Sequence, residues 1–289
     1  MLLRISKLSF PGLGIGEFSV DSVAFSIPWF NGNSIDIAWY AIIITCGIIA
    51  AVLYTMYRAN PIGITPSDII DFAIPVVLLG VIGARVYYVM TTPGQYSTFL
   101  DYINIRNGGL AIYGGIIGGA LGVIIMCIAK KIKFTAMADC CMPGVILAQG
   151  IGRWGNFMNG EAFGGVTDWF CRMGIQNYNS KNTFGTTEMV YVHPTFLYES
   201  LWNFLGFAIA ALLHKHKKYD GQIVLFVFCW YGFGRFFIEG LRTDSLYIPG
   251  TSLRISQVLG AAIFVVTLAM LIFFAIRKPN KPLYIRRNK

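Results

Sequence analysis

The stretch GGLAIYGGIIGGALGVIIMCIA, residues 108–129, admits two readings, and the choice between them decides the fold. Closely spaced glycines can form the phosphate loop of a dinucleotide-binding fold, but that loop follows a strand, and here no strand pattern precedes it and an apolar run follows. A membrane-spanning helix needs about 20 mostly apolar residues, and residues 109–129 supply them. Gly114, Gly118 and Gly122 recur at intervals of four, the small-residue spacing that lets membrane helices approach closely. The stretch is therefore expected to cross a membrane and to pack against a neighbouring helix.

Six further stretches read the same way: roughly 36–57, 68–92, 134–152, 194–214, 221–241 and 254–276. The chain of 289 residues is 55% hydrophobic and only 13% charged, with a mean hydropathy of +0.60, outside the range of soluble globular domains. The expected fold is an all-α polytopic transmembrane bundle of about seven spans, one domain over 1–289. It has a leader at 1–35, a loop at 153–193 and a tail at 277–289. Pro75 and Pro143 predict kinks or local breaks in spans two and four. The leader is expected to stay on the mature chain, because Pro11, Glu17 and Asp21 interrupt any signal-peptide core. Five of the six cysteines fall within spans and only Cys171 in a loop, so neither a disulfide framework nor a metal-ligand spacing emerges.

A net charge of +9 invites a nucleic-acid reading, but in a membrane protein basic residues first report topology. One set of loops holds thirteen Lys or Arg, in Arg58, KKIK at 130–133, HKHKK at 214–218 and the tail RKPNKPLYIRRNK. The opposite set holds eight: Arg4, Lys7, Arg106, Arg153, Arg172, Lys181, Arg242 and Arg254. This asymmetry predicts a cytoplasmic C-terminus, an external N-terminus and no nucleic-acid partner. It also places the run GIGRWGNFMNGEAFGG, residues 150–165, at the outer surface.

Ionisable groups within a bilayer are costly and need a partner or a purpose. Arg85 in span two and Arg235 and Glu239 in span six fall near the outer ends of their spans. Tyr40, Tyr113, His193 and Glu199 open spans one, three and five from that side, and Arg153, Asn156 and Glu161 follow span four. Polar groups from six spans thus share one depth. In GRFFIEGLRTD, Arg235, Glu239 and Arg242 share one helix face; this reads as an internal salt bridge with a snorkelling arginine or as part of a ligand site, since a single carboxylate cannot balance two arginines and Arg153 and Arg85, a further expected phosphate ligand, arrive at the same level. Such an excess suits bidentate contact with a phosphate, the nearest being a lipid headgroup. The glycines at 150, 152, 155, 160, 164 and 165 imply a tight backbone whose amides can cradle an anion. Asn156 and Asn159 can donate to a headgroup hydroxyl or an oxyanion, and Glu161 can pair with Arg153 or act as a base. His193, before Pro194, reads as a loop residue or as a proton acceptor. Asp68, Asp71 and Asp139 lie near inner ends, where capping or solvation is expected.

These residues resemble a known family. GIGRWGNFMNGEAFG is similar to the signature of the prolipoprotein diacylglyceryl transferases, bacterial inner-membrane enzymes. IAWYAI, GARVYYV, NGGLAIYGG, HPTFLYES and RFFIEGLR follow in the family's order, so that the resemblance covers nearly the whole chain. It implies transfer of the diacylglyceryl group of phosphatidylglycerol to the lipobox cysteine of a preprolipoprotein signal peptide. A thioether forms and glycerol 1-phosphate leaves, with no metal or organic cofactor. It implies a multi-pass protein with its active site toward the outer face. By the same resemblance Arg153 and Arg235 are essential, with Tyr40, Asn156, Glu161, Gly164, Glu239 and Arg242 as further site residues.

One position departs from the family. Where many members have a histidine in an SFHGG context, proposed there as the catalytic base, this chain has Tyr113. Tyrosine has a reference pKa near 10 and is a poor base at neutral pH. Glu161 and His193 are alternatives, as is a mechanism in which arginines lower the thiol pKa from about 8.5. A carrier for anionic solutes would also use intramembrane arginines, but no inverted repeat supports it. A metalloprotease lacks ligands, the three histidines forming no HExxH pattern.

Overall fold

The computed structural model describes residues 5–28, 34–94, 96, 98–105, 108–277 and 282–286. Arg4, Arg106, Lys278, Lys281, Arg287 and Lys289, counted in the charge bias, lie outside them. In chain order the elements are β1 (Ile5–Phe10), β2 (Ile15–Asp21), β3 (Val23–Pro28), β4 (Ser34–Ala38), α1 (Trp39–Ala59), α2 (Pro66–Thr91), α3 (Phe99–Ile103), α4 (Ile112–Ala129) and α5 (Phe134–Asn159). There follow β5 (Met173–Gln176), α6 (Tyr178–Phe184), β6 (Val190–Val192), α7 (Thr195–His214), α8 (Gln222–Glu239) and α9 (Ile255–Arg277). Among the described residues seven helices, α1, α2, α4, α5, α7, α8 and α9, are long and apolar enough to cross a membrane. Each coincides with one expected span, and the protein is a multi-pass membrane protein.

Two features depart from the sequence reading. First, α5 runs without a break through Pro143 to Asn159, seven residues beyond the expected end of span four. The segment GIGRWGNFMN is thus helical, and the loop begins at Gly160, where φ is 58°. Its glycines serve close approach instead of a loop cradle: a Cβ at Gly150 would lie 2.8 Å from the Phe204 ring, and one at Gly155 2.7 Å from the Tyr40 ring. Second, the helical class holds, but six short strands accompany it among the described residues. A sheet of order β2-β1-β5-β6 and a β3-β4 hairpin, all pairs antiparallel, occupy the leader and the 160–193 loop.

The chain divides into two compact units, Met1–Ala51 with Met142–Lys281, and Val52–Cys141 with Pro282–Lys289. In the first, Leu8, Phe10, Phe163, Met173, Ile175, Val192 and Phe196 form a core beneath the four-stranded sheet. A second cluster of Ile146, Ala210, Ile223 and Val227 joins α5, α7 and α8. The indoles of Trp202 and Trp230 stack at 4.1 Å, and each Nε1–H donates to the other residue's carbonyl, at 3.1 and 3.0 Å. Gly206 and Gly234 leave the space those rings occupy. This lock fixes the register of α7 against α8, and with it the polar residues one turn away.

In the second unit α2 and α4 pack through the glycines that opened the sequence reading. Gly114, Gly118 and Gly122 are buried and lie against the backbone of Gly83, Leu79, Val76 and Pro75 on α2. Thr65 and Asp68 form a capping box at the start of α2. Asp68 also takes Lys130 at 2.7 Å and Arg286 at 2.6 Å, so the tail is pinned to the start of α2.

Candidate active site

The site of the first unit is built where α5 ends, α7 begins and α8 ends. Glu199, one turn into α7, is 7% exposed and receives three arginines. Arg153 Nη2 lies 2.7 Å from Oε2, while Arg242 Nη1 and Arg235 Nη1 lie 3.2 and 3.5 Å from Oε1. Arg235 Nη2 is also 2.6 Å from Glu239 Oε2 on its own helix. Arg242 closes a fork on Asp244, Nε to Oδ1 at 2.9 Å and Nη2 to Oδ2 at 2.7 Å. The expected surplus of arginine is therefore smaller than the sequence suggested, because Glu199 from another helix and Asp244 supply carboxylates beside Glu239.

The three guanidinium groups are not equivalent. Each has five N–H donors, and Arg242 spends all three of its nitrogens on carboxylates. Burial works against its charge, but the Asp244 hydrogen bonds and the charges of Glu199, Asp244 and Glu239 outweigh it and raise its pKa. Burial likewise opposes ionisation of Asp244, and Arg242 holds its pKa below the ordinary value. Arg153 is more open, with 23% of its side chain exposed, and uses its second contact on Asn156 Oδ1 at 3.3 Å. Arg153 and Arg235 accordingly retain the capacity to take an incoming anion.

Beside them the last turn of α5 carries a second constellation. Asn156 and Asn159 both donate to Glu161 Oε1, at 3.1 and 3.0 Å, and fix its place. Tyr40 lies over Gly155, within electrostatic reach of Glu161 and Arg153. The turn after Glu161 is held tightly: Ala162 has φ 55°, its carbonyl accepts from Thr195 Oγ1, and Gly160 O accepts from Asn177 Nδ2 at 2.8 Å. Gly164 then meets His193 through an N–H to carbonyl bond of 2.9 Å and bridges to the backbone of Arg242. A Cβ there would lie 2.7 Å from that of His193 and 2.9 Å from Leu241 O, so only glycine fits.

His193 Nδ1 lies 3.2 Å from Tyr198 Oη, which is also 3.2 Å from Cys171 Sγ. Burial lowers the His193 pKa below 6.5, so the ring is neutral at pH 7 and prefers the uncharged form in the fold. The linkage follows: below pH 6.5 the unfolded chain binds a proton that the folded chain resists, and stability is lost as pH falls. Thermal unfolding in detergent should thus show a midpoint that drops between pH 7 and 5.5, with a shallower drop in His193→Gln. An identical pH profile for the two proteins would reject the assignment.

Of the residues expected at the site, Tyr40, Arg153, Asn156, Glu161, Gly164, His193, Arg235, Glu239 and Arg242 belong to this unit. Arg85 and Tyr113 belong to the other. In the sequence Glu199 stands out only as one of the polar groups at this depth, and Asp244 only as the last residue of GRFFIEGLRTD. A carboxylate inside an apolar span was the available signal for Glu199.

Comparison with known proteins identifies the family. Residues 25–273 match the family described as prolipoprotein diacylglyceryl transferase. A phosphatidylglycerol–prolipoprotein diacylglyceryl transferase of Clostridioides difficile strain 630 is 44% identical over 243 residues, 83% of this chain and 90% of the relative. Proteins of the same name from Enterococcus faecalis and Listeria innocua are 41% and 38% identical, covering 93% and 94% of this chain and 96% of each relative. With most of both chains aligned at this identity, and the signature residues gathered at one site, the chain belongs to the prolipoprotein diacylglyceryl transferase family.

Proposed function

We propose that the protein transfers the diacylglyceryl group of phosphatidylglycerol to the thiol of a lipobox cysteine in a preprolipoprotein signal peptide, the first step of lipoprotein maturation. It does so in a bacterial cytoplasmic membrane, with the site toward the outer face. The observation that carries the reading is the convergence of Arg153, Arg235 and Arg242 on Glu199, beside the carboxylate–amide group of Glu161, Asn156 and Asn159. Family membership and the names of the relatives support the choice of substrates.

The cysteine sulfur attacks the glycerol carbon that bears the phosphate ester. A carbon–sulfur bond forms, the carbon–oxygen bond to phosphate breaks, and the electron pair leaves on glycerol 1-phosphate. The leaving group gains negative charge as the bond lengthens, and groups placed against that charge contribute most to rate. Arg153 and Arg235, with donors to spare, hold the phosphate. Arg242, tied to Asp244 and Glu199, orients the cage. Glu161 takes the thiol proton, its position held by the two asparagines, and the arginine field lowers the thiol pKa. Tyr40, over Gly155, bounds the headgroup.

The deciding assay supplies phosphatidylglycerol vesicles and a lipobox peptide to purified protein, with mass spectrometry of the peptide. The expected product carries one diacylglyceryl group on sulfur. A folded preparation that forms no thioether would overturn the proposal.

A further inference from the structure

Glu161 stands between two left-handed residues, Gly160 at φ 58° and Ala162 at φ 55°. Glycine takes that conformation without steric cost, whereas the Cβ of Ala162 crowds the following carbonyl, so the second residue has to be held there. The carbonyls of this turn are held by side chains from other elements. Gly160 O accepts from Asn177 Nδ2 at 2.8 Å and Asn179 Nδ2 at 3.1 Å, Ala162 O from Thr195 Oγ1, and Phe163 O from Thr243 Oγ1 at 3.1 Å. Glu161 N donates back to Asn156 O at 3.1 Å. Thr195 differs from the other holders in its place. It opens α7, is fully buried, and lies one helical turn before Glu199, at the spacing that puts two residues on one helix face. Its hydroxyl is on Ala162 O, and its methyl carbon would lie 3.1 Å from a Cβ at Gly164. All of these residues belong to the first unit.

We propose that Thr195 is a positioning residue for the transfer reaction: its hydroxyl holds Ala162 in the left-handed conformation and so keeps the Glu161 carboxylate in register with the arginine cage that Glu199 gathers one turn along α7. Without the donor, Ala162 gains by relaxing to the right-handed region. The peptide after Glu161 then turns, and the carboxylate leaves the line of the incoming thiol. The arginines keep their hold on the phosphate, because their ion pairs are made with Glu199, Glu239 and Asp244. The effect falls on proton removal and spares lipid binding. The role rests on Glu161 as the base of the proposed function.

The test measures steady-state transfer from phosphatidylglycerol vesicles to two lipobox peptides, one with cysteine and one with selenocysteine, whose selenol is ionised at neutral pH and needs no base. Thr195→Val keeps the methyl and removes the donor, and Thr195→Ser does the reverse. On the cysteine peptide Thr195→Val should lose about tenfold or more in turnover, with the KM for phosphatidylglycerol changed by less than about twofold. Thr195→Ser should stay within about threefold of wild type. On the selenocysteine peptide the Thr195→Val loss should shrink to less than about threefold. An Ala162→Gly background should shrink the loss on cysteine in the same way, because glycine enters the left-handed region unaided. Normal turnover by Thr195→Val, an equal loss on both peptides, a loss confined to KM, an undiminished loss beside Ala162→Gly, or no rescue by serine would each overturn the proposal. If Thr195→Val fails to accumulate, Thr195→Ala carries the same comparisons. Glu161→Gln, run in parallel, separates this role from the reading beneath it. Near-normal transfer to cysteine by Glu161→Gln would remove the base and the proposal with it, whereas its loss of transfer beside a normal Thr195→Val would defeat the Thr195 role alone.

Discussion

Arg235→Ala is expected to abolish diacylglyceryl transfer while the protein still inserts into the membrane. Arg235 bridges two carboxylates, Glu239 at 2.6 Å and Glu199 at 3.5 Å, and in the proposed mechanism it meets the phosphate as that group departs. Losing one neutral oxyanion donor costs about 10²–10³ in rate, and a guanidinium facing a fully developed phosphate charge contributes more, about 10³–10⁵ in phosphoryl transfer. A loss of about 10³-fold or greater is therefore expected in a thioether-forming assay. The change also leaves Glu239, only 2% exposed, without its arginine, and breaking a buried pair costs about 3–5 kcal/mol. Membrane fractionation and a thermal melt of each variant separate that effect from catalysis. Arg235→Lys should retain the fold but recover little activity, because one ammonium cannot span both carboxylates. Near-normal transfer by folded Arg235→Ala would reject the role.

Glu199→Gln is the second change with a large expected effect, and its signature differs. The hub carboxylate orders Arg153, Arg235 and Arg242 and in doing so competes with an incoming phosphate for the same donors. Removing its charge loosens the cage, which lowers turnover, and removes the competitor, which favours binding of the anionic lipid. Turnover is expected to fall by about 10²-fold, the scale of a misplaced positioning group, while the KM for phosphatidylglycerol stays level or falls. A lower melting temperature should accompany it, because three guanidinium groups lose a shared partner. A raised KM with unchanged turnover would show that Glu199 binds substrate directly and would sink the positioning account.

The residues explain unevenly what could be read in advance. The spans were legible because hydrocarbon thickness sets a length that an apolar run either meets or does not. Gly114, Gly118 and Gly122 were legible because their spacing is a local property of a helix, and they do pack against a neighbouring helix, which the fold shows to be α2. The end of α5 was misjudged because its glycines suggested a loop, whereas in the fold they admit Phe204 and Tyr40. The strands escaped notice because they are short and their pairing is remote: β1 at residues 5–10 lies beside β5 at residues 173–176. No local pattern reports such a partnership.

The sequence by itself determined seven apolar spans, a basic bias between the two sets of loops, and a family signature with its arginines. Only the tertiary structure decided how those arginines are balanced. Glu199 meets Arg235 and Arg242 across 36 and 43 residues of chain, and Arg85 turns out to hold main chain in the other unit. The physical reason is that charge pairing depends on separation in space and on burial. A linear chain specifies the groups to be paired, but their distances exist only once the helices have packed.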